Sequence, residues 1–136
     1  MTTALFSILG LIVGATLQYV FTRHIENQRH IRDLRAKAYM DFLKAVCELA
    51  NYQPKSNISK RAAIAERTAD AKARICLYGS ADVIQAYSKW EQLAPQMASE
   101  DQQTAFINMV KFMRRDSGGE IKVPNRDLQN VLLGIR

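Results

Sequence analysis

Few residues in this chain have the type and spacing to do chemistry, and they crowd into one short stretch. The only histidines are His24 and His30, and Arg23 lies seven positions before the second of them. On a helix that spacing returns to one face. An arginine can hold a phosphate and a histidine can move a proton beside it, if two chains bring their pairs together. The plainer reading is an arginine that fixes membrane topology beside a histidine at the membrane surface. No H-E-x-x-H, Cys-x-x-Cys, phosphate loop or nucleophile elbow occurs, so the expectation is no enzyme: no catalytic residue, no cofactor and no metal. Cys47 and Cys76 stand in helical patterns and read as small core residues, reduced in the cytoplasm.

Two further clusters each carry a functional and a structural reading. Gly79-Ser80 offers either an anion nest at a helix start or a helix C-cap, with left-handed glycine, followed by an N-cap serine. Arg114, Arg115 and Asp116 offer either a partner-recognition patch or a helix end whose arginines complement the dipole.

The elements that must position these residues begin with an apolar run. The first 21 residues contain no Lys, Arg, Asp or Glu, and Ala4 to Phe21 reads ALFSILGLIVGATLQYVF. Eighteen residues of helix span roughly 27 Å, against a bilayer core of about 30 Å. The residues ahead of the run carry no basic side chain and its end lacks small-x-small spacing, unlike a secretory signal. Arg23, Arg29, Arg32, Arg35 and Lys37 follow it as a membrane-surface basic set, opposed by Glu26 and Asp33. Positive flanks stay in the cytoplasm, so the expected topology is N-terminus outside and C-terminal domain cytoplasmic, in the cell inner membrane. This juxtamembrane cluster also accounts for much of the net charge of +6, and no specific nucleic acid is expected.

Within the span, Ser7, Gly10, Gly14 and Gln18 recur every three or four residues. Small residues let helices approach closely in lipid, and a glutamine amide there seeks a partner. This face predicts association of the chain with itself, with the spans gathered round an axis; the plainer alternative is a Gln18 solvated near the headgroups.

The rest reads as helix. Ile25, Ile31, Leu34, Ala38, Phe42, Ala45, Val46 and Leu49 mark one apolar face of a long helix over 23–52, with a bend allowed near Thr22. The i,i+4 pairs Arg29–Asp33, Asp33–Lys37 and Lys44–Glu48 support its outward side. Pro54 in NYQPKSN (51–57) breaks the helix, and Ser56 or Asn57 can cap the next. The second helix, near 59–77, carries a stripe of Ala62, Ala65, Ala69, Ala73 and Cys76, expected to pack on a neighbour. A third, near 81–94, has Val83, Ile84, Tyr87 and Trp90 inward, with Leu93 nearby, and Pro95 stops or kinks it. Ser99 to Gln102 fits a capping box for a fourth, near 100–115, with Phe106, Met109, Val110 and Met113 inward and Gly118-Gly119 at its end. Asn125 can cap a fifth, near 126–134, through Leu128, Val131, Leu132 and Ile135. The expected fold is therefore all-α: a transmembrane anchor (1–22) continuing into a cytoplasmic bundle of four to five helices (23–136).

Leu77-Tyr78-Gly79-Ser80-Ala-Asp82-Val83-Ile84, followed by Met113-Arg114-Arg115-Asp116, resembles a loose set of bacterial single-span membrane proteins with a cytoplasmic helical domain. The overall plan is similar to the accessory membrane effectors of RNA-targeting CRISPR systems, in which an anchored HEPN-like domain assembles into a ring. That family's Arg/His pair falls on Arg23 and His30. The resemblance implies a homo-oligomeric inner-membrane pore in anti-phage defence, without catalysis. The alternative is a membrane-tethered adaptor for a cytoplasmic protein, and a HEPN-like ribonuclease is the third reading. The partners expected are other copies of the chain, the lipid bilayer and, for the adaptor, that protein.

Overall fold

The computed structural model describes residues 2–50 and 58–134, with side chains from Phe6 onward. The expected turn at 51–57, with Pro54 and its two candidate caps, lies outside the described residues, as does Ile135. Five helices and no strand are present among the described residues: α1 Thr2–Ala50, α2 Ile58–Tyr78, α3 Ala81–Gln92, α4 Glu100–Asp116 and α5 Asn125–Leu133. The fold is all-α. Contacts divide the chain into Met1–Arg32 and Asp33–Arg136. The helix assignment of α1 passes Thr22 without a break and enters both units.

The first unit is a single helix, and every side chain described from Phe6 to Arg32 is exposed. α1 is long and apolar enough to cross a membrane.

The second unit is built round α4. Phe106, Ile107, Met109, Val110 and Met113 are buried along one broad face of it, against the other helices. From α1 come Ala38, Tyr39 and Phe42, from α2 Ala71 and Ile75, from α3 Val83 and Trp90, and from α5 Leu128. An aromatic group ties three of these helices together. Phe42 meets Tyr87 at 5.2 Å and Trp90 at 6.2 Å, and Trp90 meets Phe106 at 5.3 Å between centroids. Edge-to-face pairs of this kind contribute about 0.5–1.5 kcal/mol beyond their buried area.

α2 departs from expectation. Ala62, Ala65, Ala69, Ala73 and Cys76 are all exposed, while Ile64, Ala71 and Ile75 are buried. The two isoleucines carry more apolar area than the alanines, and burial follows area. Cys76 is thus no core residue, and Cys47 is half-buried. Ion pairs complete the α1–α2 contact: Arg67 grips Glu48 at 2.6 Å, and Arg74 bridges Asp41 at 2.8 Å and Asp70 at 2.6 Å. The Arg67 guanidinium holds the Glu48 carboxyl below the usual carboxylate range. Glu48 therefore faces α2 instead of pairing with Lys44 along α1.

The ends of the later helices largely follow local chemistry. Ser99 and Gln102 form the full capping box. Ser80 caps α3, and α3 stops at Gln92, before Pro95. At α5 the expected cap fails: the helix starts at Asn125 itself, behind Pro124, with no side-chain cap. Proline fixes the backbone angle ahead of the helix, and the Asp127 N–H goes to the Pro124 carbonyl at 3.2 Å instead of to a side chain. Ile84, Leu49, Ile25, Ile31 and Val131 are exposed despite their places on apolar faces.

Candidate functional site

Along the N-terminal part of α1, Ser7, Gly10, Gly14 and Gln18 share one face by spacing, and all four are exposed. A Cβ built on Gly10 or Gly14 would meet nothing within 4 Å. Neither residue has the positive φ that only glycine adopts readily; among described glycines that belongs to Gly118 and Gly134. Glycine within a helix is about 0.8–1.0 kcal/mol less favourable than alanine. Nothing among the described residues requires it at these two positions. Thr16 satisfies its hydroxyl on its own helix, through the carbonyl of Ile12 at 2.8 Å.

The basic set divides. Arg23, Arg29, Arg32 and Lys37 are exposed. Arg35 is partly buried, and its Nε donates to the carbonyl of Tyr78 at 2.6 Å. Arg35 therefore anchors the α2–α3 corner instead of presenting a free charge. Arg23 and His30 line one shallow surface with Tyr19, His24 and Asn27. Seven residues of helix separate the pair by roughly 10 Å along the axis.

The motif residues at 77–82 and 113–116 come together. The Tyr39 hydroxyl donates to Asp116 Oδ2 at 2.9 Å and accepts from the Ser80 backbone N–H at 3.2 Å. Arg115 pairs with Asp82 and lies 3.8 Å from Asp116. Burial is the main cause that pushes the Tyr39 hydroxyl up to about 12; the Asp116 carboxylate adds to it, and the Ser80 N–H opposes it. Tyr39 thus locks α1 to the start of α3 and the end of α4. Both clusters with two readings take the structural one: Ser80 is a cap, and Arg115 and Asp116 are spent within the chain. Gly79 is not left-handed; a Cβ there would lie 2.4 Å from the Ile75 carbonyl oxygen, so glycine is required by close approach.

Tyr39 was missed as a polar anchor because its position fits the apolar stripe of α1. A signal existed at Asp116. An acid on the last turn of a helix opposes the dipole and needs a donor from elsewhere.

A groove of about 660 Å³ runs between α3 and α4, with Lys89, Lys111 and Arg115 along it. A second cleft, of about 530 Å³, is walled by Phe42, Val46, Tyr87, Trp90 and Met97. The Tyr87 hydroxyl and Trp90 indole N–H are buried with no hydrogen-bond partner among the described residues. Glu91 lies near enough to add to the upward push that burial gives Tyr87, but no bond of proper geometry joins them. No group of three metal-ligating side chains occurs among the described residues. Comparison with protein-family models, curated proteins and solved structures finds no match.

Proposed function

We propose that this chain is a homo-oligomeric, single-pass protein of the bacterial inner membrane, with its N-terminus outside and its helical domain in the cytoplasm. The spans associate through Ser7, Gly10, Gly14 and Gln18 and gather round an axis. In line with the resemblance to accessory effectors, the assembly acts as a pore in anti-phage defence. The observation that carries this reading is the pair of glycines that no contact within the chain and no backbone angle requires. In lipid, their use is to admit another helix. The exposed arginines at 23, 29 and 32 support the orientation.

Gly10→Ile with Gly14→Ile tests it. The particle's mass in detergent, its cross-linking in membranes and its ion leakage should all fall. If all three stay at the level of the parent protein, the span is a passive anchor.

The groove between α3 and α4 favours a second reading, a membrane-tethered adaptor whose bundle binds another protein. Replacing 4–21 with an unrelated poly-leucine span separates the two. An adaptor keeps its activity, whereas an assembly driven by the glycine face loses it.

A further inference from the structure

The α3–α4 groove has a floor and a rim of different chemistry. Ala86, Leu93, Ala105, Phe112 and Ile121 supply apolar floor, of which Ile121 is 52% and Leu93 38% exposed. The α4 residues that line it run from Asp101 to Arg115 at helical spacing. Those fourteen steps amount to about 21 Å, or four turns. Such a length suits an amphipathic helix lying in a groove.

Charge selects the kind of helix. Lys89 faces the groove from α3, and Lys111 and Arg115 from α4. Arg115 is paired with Asp82 and stacks over the Phe112 ring at 5.1 Å. Lys89 and Lys111 have no ion pair among the described residues, in contrast to Arg67, Lys72 and Arg74, which are all paired. Asp101 is the one acid on the rim, and it belongs to the first turn of α4, where the dipole favours it. A second copy of the chain is a poorer match for this rim than an acidic helix, since Lys and Arg outnumber Asp and Glu in it by 19 to 13.

We propose that the groove binds an acidic amphipathic helix of another protein, its apolar stripe on Phe112 and Ile121 and its carboxylates on Lys89 and Lys111. This rests on the tethered-adaptor reading and names its partner class. Rim charges of this sort set partner choice and association rate.

The test uses the full chain in phosphatidylcholine nanodiscs and two fluorescein-labelled 15-residue peptides. Both carry leucines at helical spacing; one is flanked by glutamates and the other by lysines. Anisotropy should saturate with the acidic peptide, and the basic twin should bind at least tenfold more weakly. Lys89→Glu with Lys111→Glu should invert that order, and Ile121→Asp should weaken both peptides. Equal binding of the two peptides, or an unchanged order in the charge-reversed variant, overturns the proposal. So does a change in particle mass caused by Ile121→Asp, which would make a second copy the occupant. Because Gly10 and Gly14 are untouched here, failure at the groove leaves the assembly reading standing. Loss of the adaptor reading itself appears only in the poly-leucine exchange.

Discussion

Tyr39→Phe removes one oxygen atom and should cost more stability than its size suggests. The ring sits in the core at 2% exposure, so phenylalanine keeps the packing. What goes is a bond to a carboxylate at 2.9 Å and a bond from a backbone N–H at 3.2 Å. Hydrogen bonds to charged groups contribute about 1.5–3 kcal/mol, and a buried donor left without its acceptor costs about 1–3 kcal/mol. Asp116 is only 8% exposed and keeps just the Arg115 contact at 3.8 Å, so water relieves little of the loss. The expected destabilisation is about 2–3 kcal/mol, or a fall in Tm of roughly 10–20 °C for a domain of this size. Trp90, the only tryptophan, reports unfolding from within the aromatic group. A double-mutant cycle with Asp116→Ala should show a coupling of about 1 kcal/mol or more. A shift below about 0.5 kcal/mol in the single variant, or no coupling, would refute the lock.

The same hydroxyl makes stability depend on alkaline pH. Its folded value is raised to about 12 from 10.0, so the neutral form is the one the fold favours. Its contribution is complete below pH 10 and is lost as pH rises through 12, and Tyr39→Phe should flatten that part of the denaturation profile. Gly79→Ala should cost about 1–3 kcal/mol, because a Cβ 2.4 Å from the Ile75 carbonyl oxygen must shift backbone beside Ser80. Equilibrium urea unfolding followed at Trp90 measures it, and a neutral outcome would show that the corner yields freely. Ser99→Ala should cost about 1 kcal/mol by the same measurement, since it opens the capping box of α4, and an unchanged midpoint would make the box dispensable.

The helices were legible wherever local chemistry decided them. Ser80, Ser99 and Pro95 mark boundaries through hydrogen bonds and backbone limits that involve neighbours only, and the inward face of α4 follows from its periodicity. Faces chosen by competition were not. α2 has two rival stripes, and which one is buried depends on what α1 and α4 present to it. Gly79 shows the same limit at one residue. A glycine between two helices suggests a left-handed cap, but only the path of the Ile75 carbonyl reveals that space is the reason. The basic run after the span hid a similar division, since nothing in Arg35 itself tells that a carbonyl at Tyr78 will claim it.

The residues that look most like motifs turn out to be occupied by the fold. Tyr78, Ser80, Asp82, Arg115 and Asp116 each bond within the chain, at the one corner where α1, α3 and α4 meet. The second unit leaves the α3–α4 groove open, with Lys89 and Lys111 forming no ion pair among the described residues.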